Sequence, residues 1–143
     1  MNQLHILRIA AAAALCISSA GVFAQVAIVV NPKNPLASMT ADQVSAIFLG
    51  KSSTLPSGGT AAPADLPDSI ATRELFYTKV TGKNTAQVKA AWSRLVFSGK
   101  ATPPKELATA ADVKKFVAAN PDAIGYIEKS AVDSSVKVVF SAD

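Results

Sequence analysis

The stretch Asp65-Leu66-Pro67-Asp68-Ser69-Ile70-Ala71-Thr72-Arg73 concentrates the groups with which this chain can do chemistry. Ser69 and Thr72 bring hydroxyls, Arg73 brings a fixed cation, and Asp65 and Asp68 bring carboxylates. If a helix starts at Asp68 or Ser69, its free amides and the positive end of its dipole meet those side chains. Hydroxyls, amides and a guanidinium gathered in one place can hold an anion. The plainer alternative, which spacing alone favours, is an ordinary capped helix with Arg73 in solvent.

Other chemistries lack the residues they need. His5 is the only histidine and Cys16 the only cysteine. Both fall in a stretch with the three parts of a secretory signal: His5 and Arg8 at a weakly positive start, an apolar Ile9 to Val22, and Val22-Phe23-Ala24 at the cleavage positions. The apolar run is shorter than the ~20 residues that span hydrocarbon. Residues 1–24 are therefore expected to be removed as a signal peptide. Residues 25–143 are expected to form one periplasmic domain, with no membrane insertion afterwards. That domain has no thiolate and no imidazole, so nucleophilic cysteine, histidine acid–base and zinc chemistry have nothing to run on. Its ten carboxylates show no calcium-loop spacing. No enzyme activity, cofactor or metal is expected. Losing Arg8 lowers the formal charge from +4 to +3, and the remaining cations are scattered, which argues against nucleic acid.

The elements that must position the Asp65–Arg73 stretch are legible from pattern. Val26 to Val30 is a short apolar run ending at Asn31-Pro32, as in a strand buried on both faces. Thr40 and Gln43 form a capping box, with Met39 and Val44 as staple, before a helix carrying Val44, Ile47 and Phe48. Lys51 to Gly59 is a loop, and Ala61 to Leu66 a short strand. A helix from Asp68 or Ser69 runs to about Val80 and closes at Gly82. The next helix starts at Asn84 or Thr85, with Val88, Ala91, Trp92 and Leu95 in one stripe. Pro103-Pro104 forces an extended linker. A fourth helix, near Thr109 to Asn120, carries Val113, Phe116 and Val117. Strands at Ala123–Glu128 and Val136–Phe140 end the chain, with Val136, Val138 and Phe140 on one face. This order predicts an α/β domain with a small mixed sheet and about four helices.

Two motifs have plain explanations. Gly50-Lys51-Ser52 lacks the earlier glycine of a phosphate loop and closes a helix instead of opening one. Its glycine fits the left-handed residue after a helix, and its lysine faces the negative end of the dipole. Trp92 and Phe97 could form a stacking platform, but Trp92 lies within the apolar stripe and is expected in the core.

Val29-Val30-Asn31-Pro32-Lys33-Asn34-Pro35, then Met39-Thr40-Ala41-Asp42-Gln43-Val44 and Ile47-Phe48-Leu49-Gly50-Lys51, resemble the phosphate-binding proteins of bacterial ABC importers. Ala123-Ile124-Gly125-Tyr126-Ile127 looks like the strand by which those proteins leave their second lobe. The resemblance implies a single lobe of a periplasmic-binding-protein type II fold. It implies weak binding of phosphate or a similar small oxyanion, with Ser69, Thr72, Arg73 and Asp68 as ligand residues. The family's anion loop has Gly-Ser-Gly-Thr opening a helix; Thr72 matches it, Ser69 matches in a shifted register, and the two glycines are absent. An importer permease, or a second copy of the chain supplying the missing wall, is the implied protein partner. The alternative is a periplasmic interaction module that kept the lobe and lost the ligand.

Overall fold

The computed structural model of the protein describes residues 25–143. The signal segment expected over residues 1–24 lies outside the described residues. An inner strand of the sheet is β1 (Val26–Val30), buried at every position. A strand so buried has both faces of the sheet covered, and its backbone needs partners at both edges. β1 pairs antiparallel with β4 (Ala123–Glu128) on one side and with β5 (Lys137–Ala142) on the other. The sheet order is β3-β2-β4-β1-β5. In it, β2 (Ala62–Asp65) runs parallel to β4 and to the two-residue edge strand β3 (Lys105–Glu106). With helices α1 (Ala41–Phe48), α2 (Ala71–Phe76), α3 (Thr85–Phe97) and α4 (Ala110–Ala119), this is the mixed α/β lobe expected from the sequence.

Local signals hold where they depend on neighbours in sequence. Thr40 and Gln43 close the capping box of α1, and Asn84 and Gln87 close one on α3. Gly50 ends α1 with φ +75°, and a Cβ there would stand 2.5 Å from Leu95 Cδ1. Gly50 is favoured by the left-handed turn, and a side chain there would also push the Leu95 side chain of α3 aside. The Trp92 indole N–H donates to the Phe48 carbonyl at 2.8 Å, tying α3 to the end of α1 from a buried position. Gly125 lets α4 lie close on β4, since a Cβ would meet Val113 Cγ1 at 2.6 Å. The Asn-Pro pair after β1 is a clasp. Asn31 Nδ2 donates to the carbonyls of Val117 and Ala118 at the end of α4, and Asn34 Nδ2 donates to Pro121.

Three expectations are corrected. The helix after β2 has Ile70 at its N-cap, with no side-chain cap. The Asp68 carboxylate is drawn instead toward Arg73 and Lys89, and Ser69 is exposed. That helix also changes winding, since Tyr77–Thr81 continues α2 as a π-helical segment closed by Gly82 at φ 71°. Val136, just before β5, and Val139 and Ala142 within it are buried, whereas Val138 and Phe140 are only partly so. Opposite β1, Ile28 faces Phe140 and Val29 faces Val138, so Val139 is the extra residue of a bulge and the alternation breaks there.

Trp92→Ala removes a buried ring and its hydrogen bond to α1. We expect it to cost ~3–5 kcal/mol in denaturant unfolding. A loss below about 1 kcal/mol would mean that the stripe of α3 does not depend on the indole.

Candidate functional site

β2, β3 and β4 run parallel, and their carboxyl ends carry Asp65, Glu106 and Glu128. The crevice outside the carboxyl ends of parallel strands is where such sheets place ligands. Here it opens between the β2–α2 turn, the exposed side of α3 and the Pro103-Pro104 linker, with a volume of about 700 Å³. Asp65, Asp68, Arg73, Lys89, Ser93 and Glu106 supply its polar lining. Trp92, Val96, Phe97, Pro103 and Pro104 supply the apolar lining.

Asp65 is buried at the floor, with a side chain 8% exposed. Burying a carboxylate is costly unless its oxygens find donors. Oδ2 accepts from Arg73 Nη1 at 2.6 Å and from the Tyr77 hydroxyl at 2.7 Å. Oδ1 accepts from the Leu66 amide at 2.9 Å and from the Tyr126 hydroxyl. Arg73 Nη1 also donates to the Leu66 carbonyl at 3.0 Å, and the guanidinium lies over the Tyr77 ring. The rings are held in turn, with Phe76 stacked on Tyr126 at 4.1 Å between centroids.

One buried donor of Arg73, Nε, makes no hydrogen bond, although it sits 3.0 Å from Asp68 Oδ1. The two are close enough for charge attraction and out of line for donation. Asp68 is 58% exposed, and its other oxygen lies 3.2 Å from Lys89 Nζ. Burial works against the Arg73 charge, but Asp65, aided by Tyr77, Tyr126 and Asp68, outweighs it, and the guanidinium is held more firmly protonated than usual. Burial, and then the Asp65 charge, push both Tyr77 and Tyr126 well above the ordinary phenol range. Neither phenol can serve as a base near neutral pH. The arrangement can hold a charged ligand and order the loop around it.

Of the four residues the sequence singled out, the structure brings Arg73 and Asp68 together in the cleft. Thr72 is buried and its hydroxyl donates to Glu128 Oε1 at 3.3 Å, on the end of β4. Ser69 is exposed and is not part of the cleft lining. Sequence reasoning missed Tyr77, Tyr126 and Lys89; of the apolar wall it raised Trp92 and Phe97 as a stacking platform but favoured a core role for Trp92. Tyr77 was within reach, because it stands one helical turn beyond Arg73 and so shares its face. Among the described residues no helix is long and apolar enough to cross a membrane, and no cluster of three metal-ligating side chains occurs.

A model of the PBP superfamily domain family matches residues 20–139. A search of curated proteins finds no match. Among solved structures the fold is similar to that of a phosphate ABC transporter substrate-binding protein from Clostridium perfringens with bound phosphate. The TM-score is 0.66 at 24% identity, over 81% of this chain and 45% of that one. It is also similar to an ABC-type phosphate transport receptor from Vibrio cholerae, with TM-score 0.65 at 24% identity over 81% and 46%. PstS from Borrelia burgdorferi gives TM-score 0.61 at 11% identity over 81% and 47%. The chain thus spans about half the length of the solved proteins it matches.

The two raised phenols set an alkaline limit on stability. The folded protein keeps both protons where the unfolded chain releases them, near the ordinary value of about 10. Above that pH the unfolded state binds fewer protons, so stability falls as pH rises. We expect each phenol to contribute a slope of about 0.7 kcal/mol per pH unit near pH 10, rising toward about 1.4 kcal/mol per pH unit above about pH 11. In denaturant titrations between about pH 9 and 11, Tyr77→Phe should lose one phenol's share of that slope. Equal slopes in the two proteins would contradict the burial of a protonated Tyr77 against Asp65.

Proposed function

We propose, from the premise that this chain belongs to the PBP superfamily domain family, that it is an exported solute-binding lobe for a small oxyanion of the phosphate type. The ligand is held in the Arg73 cleft without covalent chemistry. The observation that carries this reading is the Arg73 Nε, a buried donor with no hydrogen bond and with the Asp68 carboxylate 3.0 Å away. A carboxylate thus stands beside this donor but off its line, which leaves the Nε–H to an oxygen of an anionic ligand. An incoming oxyanion displaces Asp68, takes the Nε–H, and leaves the Arg73–Asp65 pair in place beneath it. Lys89, released from Asp68, adds a second cation. Ser69 and Thr72 flank the cation in sequence and complete the ligand set once Ser69 turns inward and Thr72 exchanges Glu128 for the ligand. The names of the similar solved proteins, which refer to phosphate transport, support the choice of ligand.

Binding in this lobe alone is weak. Asp68 competes for the same donor, and the cleft leaves one side of the ligand in water, where charge-assisted bonds are screened. A permease or a second copy of the chain, in the periplasm, supplies the other wall. The rival reading is an interaction module that has lost its ligand. It is favoured by the two aspartates that already neutralise Arg73.

Calorimetry with inorganic phosphate at low ionic strength separates the two. We expect a dissociation constant on the order of 1 mM, or about −4 kcal/mol, weakening with added salt. Asp68→Asn removes the competitor from an exposed position and should tighten binding ~10-fold, about 1.4 kcal/mol. Lys100→Ala, outside the cleft, should change nothing. No heat from either protein at ~10-fold higher phosphate would leave the interaction module as the function.

A further inference from the structure

We infer that the cleft takes an oxyanion bearing an apolar, ring-sized substituent, such as an arylphosphonate or an aryl phosphate monoester, in preference to inorganic phosphate. Resting on the oxyanion reading above, this names the other end of the ligand. The cleft, at about 700 Å³, falls in the range of roughly 300–1,000 Å³ that encloses drug-sized molecules. A bare tetrahedral anion at Arg73 would leave most of it to water.

The rest of the lining is mostly apolar: its one further polar side chain, Ser93, already donates its hydroxyl to the Lys89 carbonyl at 2.9 Å. Val96 and Phe97, 49% and 96% exposed, are the large apolar side chains left open to solvent among the described residues, and both line this cleft. Across from them, Pro103 and Pro104 have no N–H to donate and little freedom to move. The Trp92 indole borders the same space with its one donor already given to Phe48, so it offers only ring surface. An aromatic group seated there stacks on Phe97 and covers surface that is otherwise wet. The cation and the apolar wall line one cavity, as an amphiphilic ligand requires.

The carboxylates restrict the charge of that ligand. Asp65 is saturated by Arg73, Tyr77, Tyr126 and the Leu66 amide. Asp68 is the group displaced. Glu106, on edge strand β3, is exposed in the lining. It repels a second anionic group, so the ligand carries its negative charge at one end only.

Phosphate, phenylphosphonate and benzylamine, each titrated calorimetrically into the full chain and into Phe97→Ser, test this. Phe97 is almost wholly exposed, so the substitution should leave the melting temperature unchanged. We expect phenylphosphonate to bind about 10-fold or more tightly than phosphate, from burial of the ring. In Phe97→Ser that advantage should vanish while phosphate affinity stays the same. Phenylphosphonate no tighter than phosphate, or equal loss of both in Phe97→Ser, would overturn the inference and leave the oxyanion reading standing. Benzylamine binding tighter than phenylphosphonate would overturn it in favour of an organic cation held by Glu106. Failure of both phosphate and phenylphosphonate to bind would overturn the oxyanion reading itself.

Discussion

A buried carboxylate at the end of β2 fixes the rest of this lobe. Asp65 sits in the core with two oxygens that must be satisfied, and its donors come from separate elements. They are the amide of Leu66, Arg73 on α2, Tyr77 on the π-helical turn and Tyr126 on β4. Meeting all four at once sets the angle at which α2 leaves the sheet. It also accounts for the change of winding at Tyr77, which carries the phenol to Asp65 while Phe76 stacks on Tyr126. An extra residue per turn of this kind recurs where helices are bent to serve a site.

Function follows from what that constraint leaves over. Arg73 spends Nη1 on Asp65 and on the Leu66 carbonyl, and retains an Nε–H at the cleft floor. Had the guanidinium been free, the site would be a strong general trap for anions. With Asp65 beneath and Asp68 beside it, the cation is nearly neutralised, and a ligand gains little from charge alone. In the function we propose, selectivity then shifts to the apolar wall of Val96, Phe97 and the two prolines.

Elements set by neighbouring residues were legible in the sequence. The capping boxes at Thr40 and Asn84, the stripe through Trp92 and the all-apolar β1 depend on spacings of three, four or one residue. What stayed hidden depends on distant partners. Tyr126 reaches Asp65 across 61 positions, Asn31 reaches Val117 across 86, and Lys89 meets Asp68 across 21. No local pattern encodes such distances. The uncapped Ile70 start belongs here too, because Asp68 is a good cap by type and is drawn away by cations that only the fold brings near. The bulge at Val139 is a property of the pairing with β1, and it turns residues that alternate in sequence away from a common face.

The central claim is that the Asp65–Arg73 pair is structural first and only secondarily available to a ligand. A double-mutant cycle with Asp65→Asn and Arg73→Gln, read by denaturant unfolding, tests it most directly. Removing either partner strands a buried charge, so each single variant should lose ~3–5 kcal/mol. The double variant should be more stable than the sum of the two losses implies, by more than about 1.5 kcal/mol. Losses that add to within about 0.5 kcal/mol would show two independent residues and contradict the account.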